Sequence, residues 1–589
     1  MKKKYTFFNV LLRLMPMQFK AAPGPTLINS ALGFIHSLTW AGGIIATQGL
    51  FDAITGTGQL SFWNCLIPLL ILAGVTFAQQ IMNGISNFYY HILEMKTTGK
   101  IKTLLHRKLT RLDPAYFEDT AFLDDLNKAN EGIKVIPHFA VTYSLIVFFY
   151  GVYFAAIGTY LFHLKPILLI TLLISFFPAL LAQIVRGKVF TKLEEQSAPL
   201  RREYEYYQNT LCDREYFKET RSLGVFKFFH MLFSQTMLLL TRKTWQAERK
   251  TALIQLLLNT TSFAGLAASS YLLFTATMSG EISVGAFAAV FAALRTVFYL
   301  MQEIITMHIG AMNRSIGKLV NFIRVLDMSE RTGVDGKLDF NQGIVAENIS
   351  FSYPGREEMA VKAVSLKIPD GKTIAIVGEN GAGKTTLVRL LTGLYRPSGG
   401  KVIVGGLDTA ETSPASVYKG ISGVFQNYQR YKMTLKENIF LSKTEDIPDT
   451  SRVENVLKEA GVETELGLDN MLSPEFDGID LSGGQWQRIS IARGLYRVNR
   501  FIVLDEPTAA IDPIEETRIY TQFQRLAQGK CSLIVTHRLG SAKLAHKIIV
   551  MEKGEIVDTG THEELLSRPG KYAEMWKAQA QWYQRVDNF

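Results

Sequence analysis

A chain of 589 residues that is 48% hydrophobic yet 20% charged is long enough for several domains and reads as an apolar half averaged with a polar one. The formal net charge of +10 would suit nucleic acid, but Lys and Arg fall between hydrophobic runs, where loops on the cytoplasmic side of a membrane collect them; no nucleic-acid partner is expected. The cysteines Cys65, Cys212 and Cys531 lie far apart in unlike surroundings and make neither a disulfide framework nor a Cys-rich metal site.

Residues 1–22 contain an apolar stretch that is short, broken by Arg13 and followed by no small-residue cleavage site. An amphipathic helix lying along the cytoplasmic face of the lipid bilayer is expected there, in preference to a cleaved signal. Residues 23–325 form a membrane domain. A spanning helix needs about 20 mostly apolar residues, and six stretches qualify: Pro25–Leu50, Leu60–Tyr89, Val135–Leu164, Pro166–Val185, Ala252–Met278 and Val284–Ile309. Short connections follow the first, third and fifth. The long ones, His91–Lys134 and Arg186–Thr251, are rich in Lys and Arg and should face the cytoplasm, which puts both termini there too. Lys165, on a short outer turn, is a mild exception. Within the long connections, Leu112–Ala129 and Cys212–Gly224 each set paired aromatics among charges and are expected to be docking surfaces. On the sixth span, Arg295, Gln302 and Glu303 lie close to one face. They line a translocation path or, equally, form an Arg–Glu fastening between helices. His36 and Gln79-Gln80 are expected in helix interfaces.

From Val334 to Phe589 the pattern changes. Val334–Gly355 alternates as antiparallel strands do; Tyr353 within it can stack on a nucleotide base or be an ordinary strand residue. Next comes Gly378-Glu379-Asn380-Gly381-Ala382-Gly383-Lys384-Thr385, between an apolar strand and a helix expected to open at Thr386. Glycines let backbone N–H groups turn toward phosphate oxygens, Lys384 reaches the terminal phosphates and the Thr385 hydroxyl can hold Mg2+. The helix start adds a positive dipole end. Downstream, the apolar run Phe501–Leu504 ends in Asp505, placed for the Mg2+ shell, and Glu506, placed to polarise water. Ser482-Gly483-Gly484-Gln485 precedes another helix and makes a second anion cradle. One nucleotide does not need two cradles, so two copies are expected to pair head to tail.

The set Gly378–Thr385, Gln426, LSGGQ at Leu481–Gln485, Asp505-Glu506 and His537 resembles an ATP-binding cassette (ABC) transporter, and six spans before one cassette resemble an exporter-type half-transporter over nearly the whole chain. The resemblance implies a polytopic α-helical membrane domain followed by an α/β P-loop ABC ATPase domain. It implies that Tyr353 stacks on adenine, that Lys384 and Thr385 bind phosphate and Mg2+, and that Gln426 contacts Mg2+ and water. Ser482, Gly483, Gly484 and Gln485 would touch the ATP of a second protomer, with Asp512 at the dimer interface. Glu506 would be the catalytic base and His537 the switch on the terminal phosphate. Arg493 would be a structural or interface residue rather than a catalytic one. Leu112–Ala129 and Cys212–Gly224 would be two coupling helices, the second reaching the partner's cassette. Two departures stand out: the run Pro474–Asp480 before LSGGQ, and Tyr428 and Tyr431 after Gln426. Because Glu506 and His537 are both present, a homodimer is expected.

The function implied is ATP-driven export by alternating access in the cytoplasmic membrane. The stretch Phe476–Arg497 resembles exporters of modified peptides of the lantibiotic and lasso types, so a modified peptide is the expected cargo; multidrug or lipid export is the alternative. An importer usually divides these parts among chains, a nucleotide-gated channel would be passive, and a soluble ABC-type ATPase has no use for six apolar spans. No protease domain precedes the first span, so leader cleavage is not expected.

Overall fold

The computed structural model describes residues 7–56, 62–445, 447, 449–462, 466–497, 499–506 and 513–584. The chain divides into two compact units, one of Met1–Arg107 with Asp125–Asp327 and one of Lys108–Asp124 with Met328–Phe589.

The described residues of the first unit form helices and short connections, with no strand among them. Helix α1 (Phe7–Ala21) buries Val10, Leu14 and Gln18 on one stripe and leaves Leu12 and Phe19 exposed, the division expected of a helix between protein and an apolar surface. Arg13 on it pairs with Asp327. Helix α2 (Pro23–Thr55) is followed by α3 (Phe62–Leu109), α4 (Thr120–Leu164), α5 (Pro166–Cys212), the short α6 (Phe217–Ser222), α7 (Phe226–Met278) and α8 (Val284–Asp327). Among the described residues, five of these (α3, α4, α5, α7 and α8) are long and apolar enough to cross a membrane. The first of the six expected spans is indeed a helix, α2, but Ser30, His36, Thr39 and Gln48 dilute its apolar character and it does not reach the same standard.

Small residues let the helices approach closely. The Gly285 N–H donates to Asp52 Oδ1 at 2.9 Å, and a Cβ at that glycine would come within 2.2 Å of the same oxygen. A Cβ at Gly265 would likewise meet Ser175 Oγ at 2.2 Å, where α7 runs along α5. His36 is buried, packs against Phe149 and accepts a hydrogen bond from Trp40 Nε1 at 3.0 Å; Gln79 donates to the Thr39 carbonyl at 3.0 Å. Arg295 and Glu303 occupy different surroundings. Arg295 shares an exposed stripe with Phe291 and Tyr299, whereas Glu303 lies beside the Tyr150 hydroxyl, which is also 3.1 Å from His308 Nε2. Helix α3 differs from its neighbours: none of its most apolar stretch is buried within the chain.

The first expected docking helix, Leu112–Ala129, is corrected by the structure. Asp113 accepts from the Ala115 N–H at 2.9 Å and opens only a five-residue 3-10 turn, Pro114–Glu118. Asp119 then accepts from Ala121 N at 2.9 Å, so a new helix starts at Thr120 and runs unbroken through the third span. Two closely spaced caps divide what the composition presents as one acidic helix. In the second stretch, α5 continues to Cys212, α6 is six residues long, and Gly224 turns the chain into α7 with φ of 67°, a conformation that favours glycine.

The second unit has two sheets. The antiparallel one runs β2-β1-β4-β5, with β1 (Ile344–Ser352), β2 (Met359–Ile368), β4 (Gly399–Val404) and β5 (Leu407–Asp408). The other runs β10-β9-β3-β8-β7-β6, with β3 (Thr373–Gly378), β6 (Ile421–Val424), β7 (Phe501–Asp505), β8 (Cys531–Val535), β9 (Lys547–Glu552) and β10 (Glu555–Gly560). Four parallel pairings join β9, β3, β8, β7 and β6, with β10 antiparallel at the edge. Strands β3, β7 and β8 are buried at every position, as continuous apolar runs in a sheet covered on both faces should be. Helix α9 (Lys384–Leu391) follows β3, and its Leu387, Val388, Leu390 and Leu391 enter a core shared with both sheets. Carboxyl ends of parallel strands are where an open α/β sheet takes its ligand, and both β3 and β7 end at the residues singled out above.

Candidate nucleotide site

Between β3 and α9 the chain bends as the glycine spacing predicts. Gly381 and Gly383 have φ of 82° and 94°, and a Cβ at Gly383 would sit 2.4 Å from the Ala360 carbonyl. The loop therefore has no room for another residue there. Helix α9 starts at Lys384, two residues earlier than expected, because Gly383 rather than Thr385 is its cap. A cleft of about 570 Å3 opens over the loop. Of the predicted residues, Tyr353, Asn380, Gly381, Gly383, Lys384, Thr385, Thr386, Gln426 and Glu506 line it. Tyr353 donates to or accepts from Thr386 Oγ1 at 2.8 Å and stands nearly perpendicular to Phe351 at 5.2 Å, which fixes its ring at the cleft. Gly378, Glu379 and Ala382 shape the loop beneath.

Lys384 is 6% exposed, and its ammonium donates to the Gly378 and Glu379 carbonyls, both at 3.0 Å. Burial pushes its pKa down, against the opposing pull of Glu506 and Asp505. Asp505 at the end of β7 is almost wholly buried, and its Oδ1 has no hydrogen-bond partner. Burial, with the Glu506 charge next in weight, raises its pKa to about 6, while Arg389, Lys384 and the Thr385 hydroxyl act the other way. An orphaned carboxylate oxygen beside a hydroxyl is a hard-oxygen donor set that suits Mg2+.

Glu506 has φ of 46°, a left-handed conformation uncommon outside glycine and costing on the order of 1–3 kcal/mol. Its N–H is held by the Val535 carbonyl at 3.0 Å. The strain aims the carboxylate: Gln426 Nε2 donates to Glu506 Oε2 at 3.0 Å, His537 Nδ1 is 3.5 Å from Oε1, and Lys384 Nζ is 3.8 Å away. A carboxylate so placed can take a proton from a water over the loop.

Ser482–Gln485 do not join this group. Among the residues that line the cleft, none comes from that segment. They open helix α10 (Gly483–Tyr496) with a reciprocal cap, in which Ser482 Oγ accepts from Gln485 N at 3.3 Å and Gln485 Oε1 accepts from Ser482 N at 2.9 Å. The Tyr428 hydroxyl donates to the Gly483 carbonyl at 2.9 Å. Tyr431 lies under the Arg493 guanidinium, 4.9 Å from ring centre to carbon, and Arg493 also donates to the Asn438 carbonyl at 2.9 Å. The two unusual tyrosines thus tie the Gln426 loop to α10. Asp512 lies outside the described residues.

Several residues at the site were not anticipated. Arg356 and Lys553 line the cleft, Lys553 from a tight β9–β10 turn whose Lys553 and Gly554 both have positive φ. The Lys-Gly pair between two β-patterned runs was the available signal. Ala115 from the first long connection enters the core of the second unit. Glu118 accepts from Tyr395 Oη at 2.6 Å and from Arg389 at 2.8 Å. Partners separated by more than 270 residues leave no local sequence pattern.

The comparisons with known proteins agree with this architecture. Residues 361–509 match the family described as ABC transporter, and residues 26–202 match the ABC transporter transmembrane region. The chain belongs to the ABC transporters, as an exporter-type protein with a membrane and an ATPase domain; it is a multi-pass membrane protein in which ATP hydrolysis is coupled to transport. It is 28% identical over 517 residues to the subtilin transport ATP-binding protein of Bacillus subtilis, covering 86% of this chain and 84% of that one. It is 36% identical to the nisin transport ATP-binding protein of Lactococcus lactis subsp. lactis, over 39% of each chain. It is 33% identical to the ATP-dependent lipid A-core flippase of Salmonella typhimurium, over 51% of this chain and 52% of that protein. In fold it matches a bacterial Atm1-family ABC exporter with ATP bound, with a TM-score of 0.75 and 20% identity over 95% of this chain and 98% of that one.

Proposed function

We propose that this chain acts as a homodimer that hydrolyses ATP at two shared sites and exports a modified peptide across the cytoplasmic membrane, with both termini in the cytoplasm. The observation that carries the hydrolytic part is the Glu506 carboxylate, held by Gln426 and flanked by His537 and Lys384 at the rim of the cleft. In this reading Glu506 is the general base, His537 contacts the terminal phosphate, and Lys384 with the loop N–H groups binds the β- and γ-phosphates. Thr385, Gln426 and Asp505 would hold Mg2+, which when bound neutralises charge developing on the phosphoryl oxygens. Tyr353 stacks on the base. The separation of Ser482–Gln485 from the cleft of their own chain supports a site completed by a second copy, with Asp512 near the same interface. ATP favours the closed pair because it binds that state better, and hydrolysis removes the bias.

A peptide cargo is supported by the similarity to the subtilin transport protein, which extends through the membrane half. A lipid is the second reading, favoured by the similarity to the lipid A-core flippase over about half of the chain. Inverted vesicles carrying the full chain, given ATP and either a modified peptide of the lantibiotic type or a labelled lipid, separate the two. Uptake of the peptide, abolished by Glu506→Gln together with ATP turnover, is expected. Lipid flipping without peptide uptake would overturn the cargo, and full turnover in Glu506→Gln would overturn the base. Loss of the general base should lower turnover by about 10²–10⁴-fold.

A further inference from the structure

Helix α11 (Lys571–Gln584) reaches the site at two places that the mechanism above does not use. In its first turn, Lys571 Nζ lies 2.6 Å from Glu379 of the phosphate loop and 3.8 Å from Glu552. Two turns on, the single side-chain amide of Gln579 engages the backbone on both sides of the switch residue. Its Nε2 donates to the His537 carbonyl, and its Oε1 accepts from the Leu539 N–H at 3.0 Å. The helix between these ends is firmly seated. Tyr572 is fully buried with its hydroxyl 2.7 Å from His562 Nδ1, and Trp576 packs edge-on against His562 with Lys543 4.6 Å above its ring.

His537 itself is poorly held by packing, since its side chain is 47% exposed and strand β8 has already ended at Val535. An exposed imidazole 3.5 Å from Glu506 needs its backbone fixed to keep that distance. We infer that Gln579 is a positioning residue for ATP hydrolysis, gripping the carbonyl of His537 and the N–H of Leu539 so that the imidazole stays against Glu506. The inference rests on the proposed role of His537. Lys571 fastens the other end of the same helix to the phosphate loop, so α11 holds the two loops that face the terminal phosphate at a fixed spacing.

The test uses the full chain in lipid nanodiscs and measures ATPase kcat and KM for Gln579→Ala, Gln579→Glu, His537→Ala and the double variant Gln579→Ala/His537→Ala. Glutamate keeps the acceptor for Leu539 but loses the donor to His537, so it reads the carbonyl contact alone. Both Gln579 variants should lower kcat about tenfold and leave the KM for ATP within about twofold. The double variant should fall no further than His537→Ala, because a residue acting only through His537 has nothing left to position. Lys577→Ala, exposed on the same helix, should retain full turnover. Losses that multiply in the double variant would mark a general structural role and overturn the proposal, as would an unchanged kcat in Gln579→Ala. Full turnover in His537→Ala would instead remove the switch reading, and this inference with it.

Discussion

The two long connections between spans carry similar sequences and have opposite fates. In the first, Ala115 sits in the ATPase core and Glu118 is bonded to Arg389 and Tyr395. The linker after α8 closes on the same segment: the Arg331 N–H donates to the Arg111 carbonyl at 2.7 Å, and the Arg331 guanidinium donates to the Gly393 and Leu394 carbonyls at 2.6 and 2.8 Å. The second connection belongs to the membrane unit, and Leu223 and Phe226 beside α6 are exposed to 65% and 50%. An aromatic pair among charges therefore does not state its own destination. What differs is the partner: the first segment has a prepared cradle in its own chain, and the second fits the proposal that a second copy supplies one.

The sharpest way to break this contrast is to charge both segments alike. Ala115→Glu places a carboxylate in the ATPase core and should destabilise that unit by about 3–5 kcal/mol, seen as a lower midpoint in thermal or denaturant unfolding. Leu223→Glu should shift the same midpoint by less than about 0.5 kcal/mol, yet uncouple ATP turnover from transport if the segment docks on a second copy. Equal losses of stability would erase the distinction.

A smaller change probes the cradle itself. Tyr395→Phe removes one hydroxyl that donates to Glu118 and accepts from Arg389. It should cost about 1 kcal/mol in unfolding free energy, while the same exchange at Tyr206 on α5, where the ring is exposed, should cost nothing measurable.

The smallest effect lies at the nucleotide end of the first cradle, where Arg389 also acts on Asp505. A carboxyl raised to about 6 is protonated more readily folded than unfolded. Its contribution to stability is thus full below the ordinary value of about 4 and is lost as the pH rises through 6. Binding of Mg2+ has the reverse dependence, since it needs the ionised form. Between pH 7.5 and 5.5, Mg2+-dependent nucleotide affinity should weaken about fourfold, measured by calorimetry. Asp505→Asn should bind Mg2+ weakly at both pH values and flatten the dependence; a wild-type affinity unchanged across that range would place the metal elsewhere.

What was legible in the sequence is what local spacing encodes. Gly381 and Gly383 had to be glycine, Phe501–Leu504 had to be a covered strand ending in Asp505, and Ser482–Gln485 had to stand before a helix. Long-range pairings were silent: Glu118 with Tyr395, Arg331 with Gly393, Gln579 with His537. Local rules also misled where two signals competed. An acidic, aromatic run from Leu112 to Ala129 looks like one helix until Asp113 and Asp119 are recognised as two caps.

The lengths of α5 and α7, 47 and 53 residues, have a mechanical meaning. At 1.5 Å per residue they are rods of roughly 70 and 80 Å, while a bilayer's hydrocarbon core occupies only about 30 Å. On the order of 40 Å of each must project as a lever arm. A tilt of about 5° at the membrane end sweeps the far tip through about 3–4 Å, about two-thirds of a helical turn. Side-by-side packing along their length makes the two rods bend as one, so a motion too small to rearrange any membrane contact becomes, at the far end, a displacement large enough to make or break a docked joint.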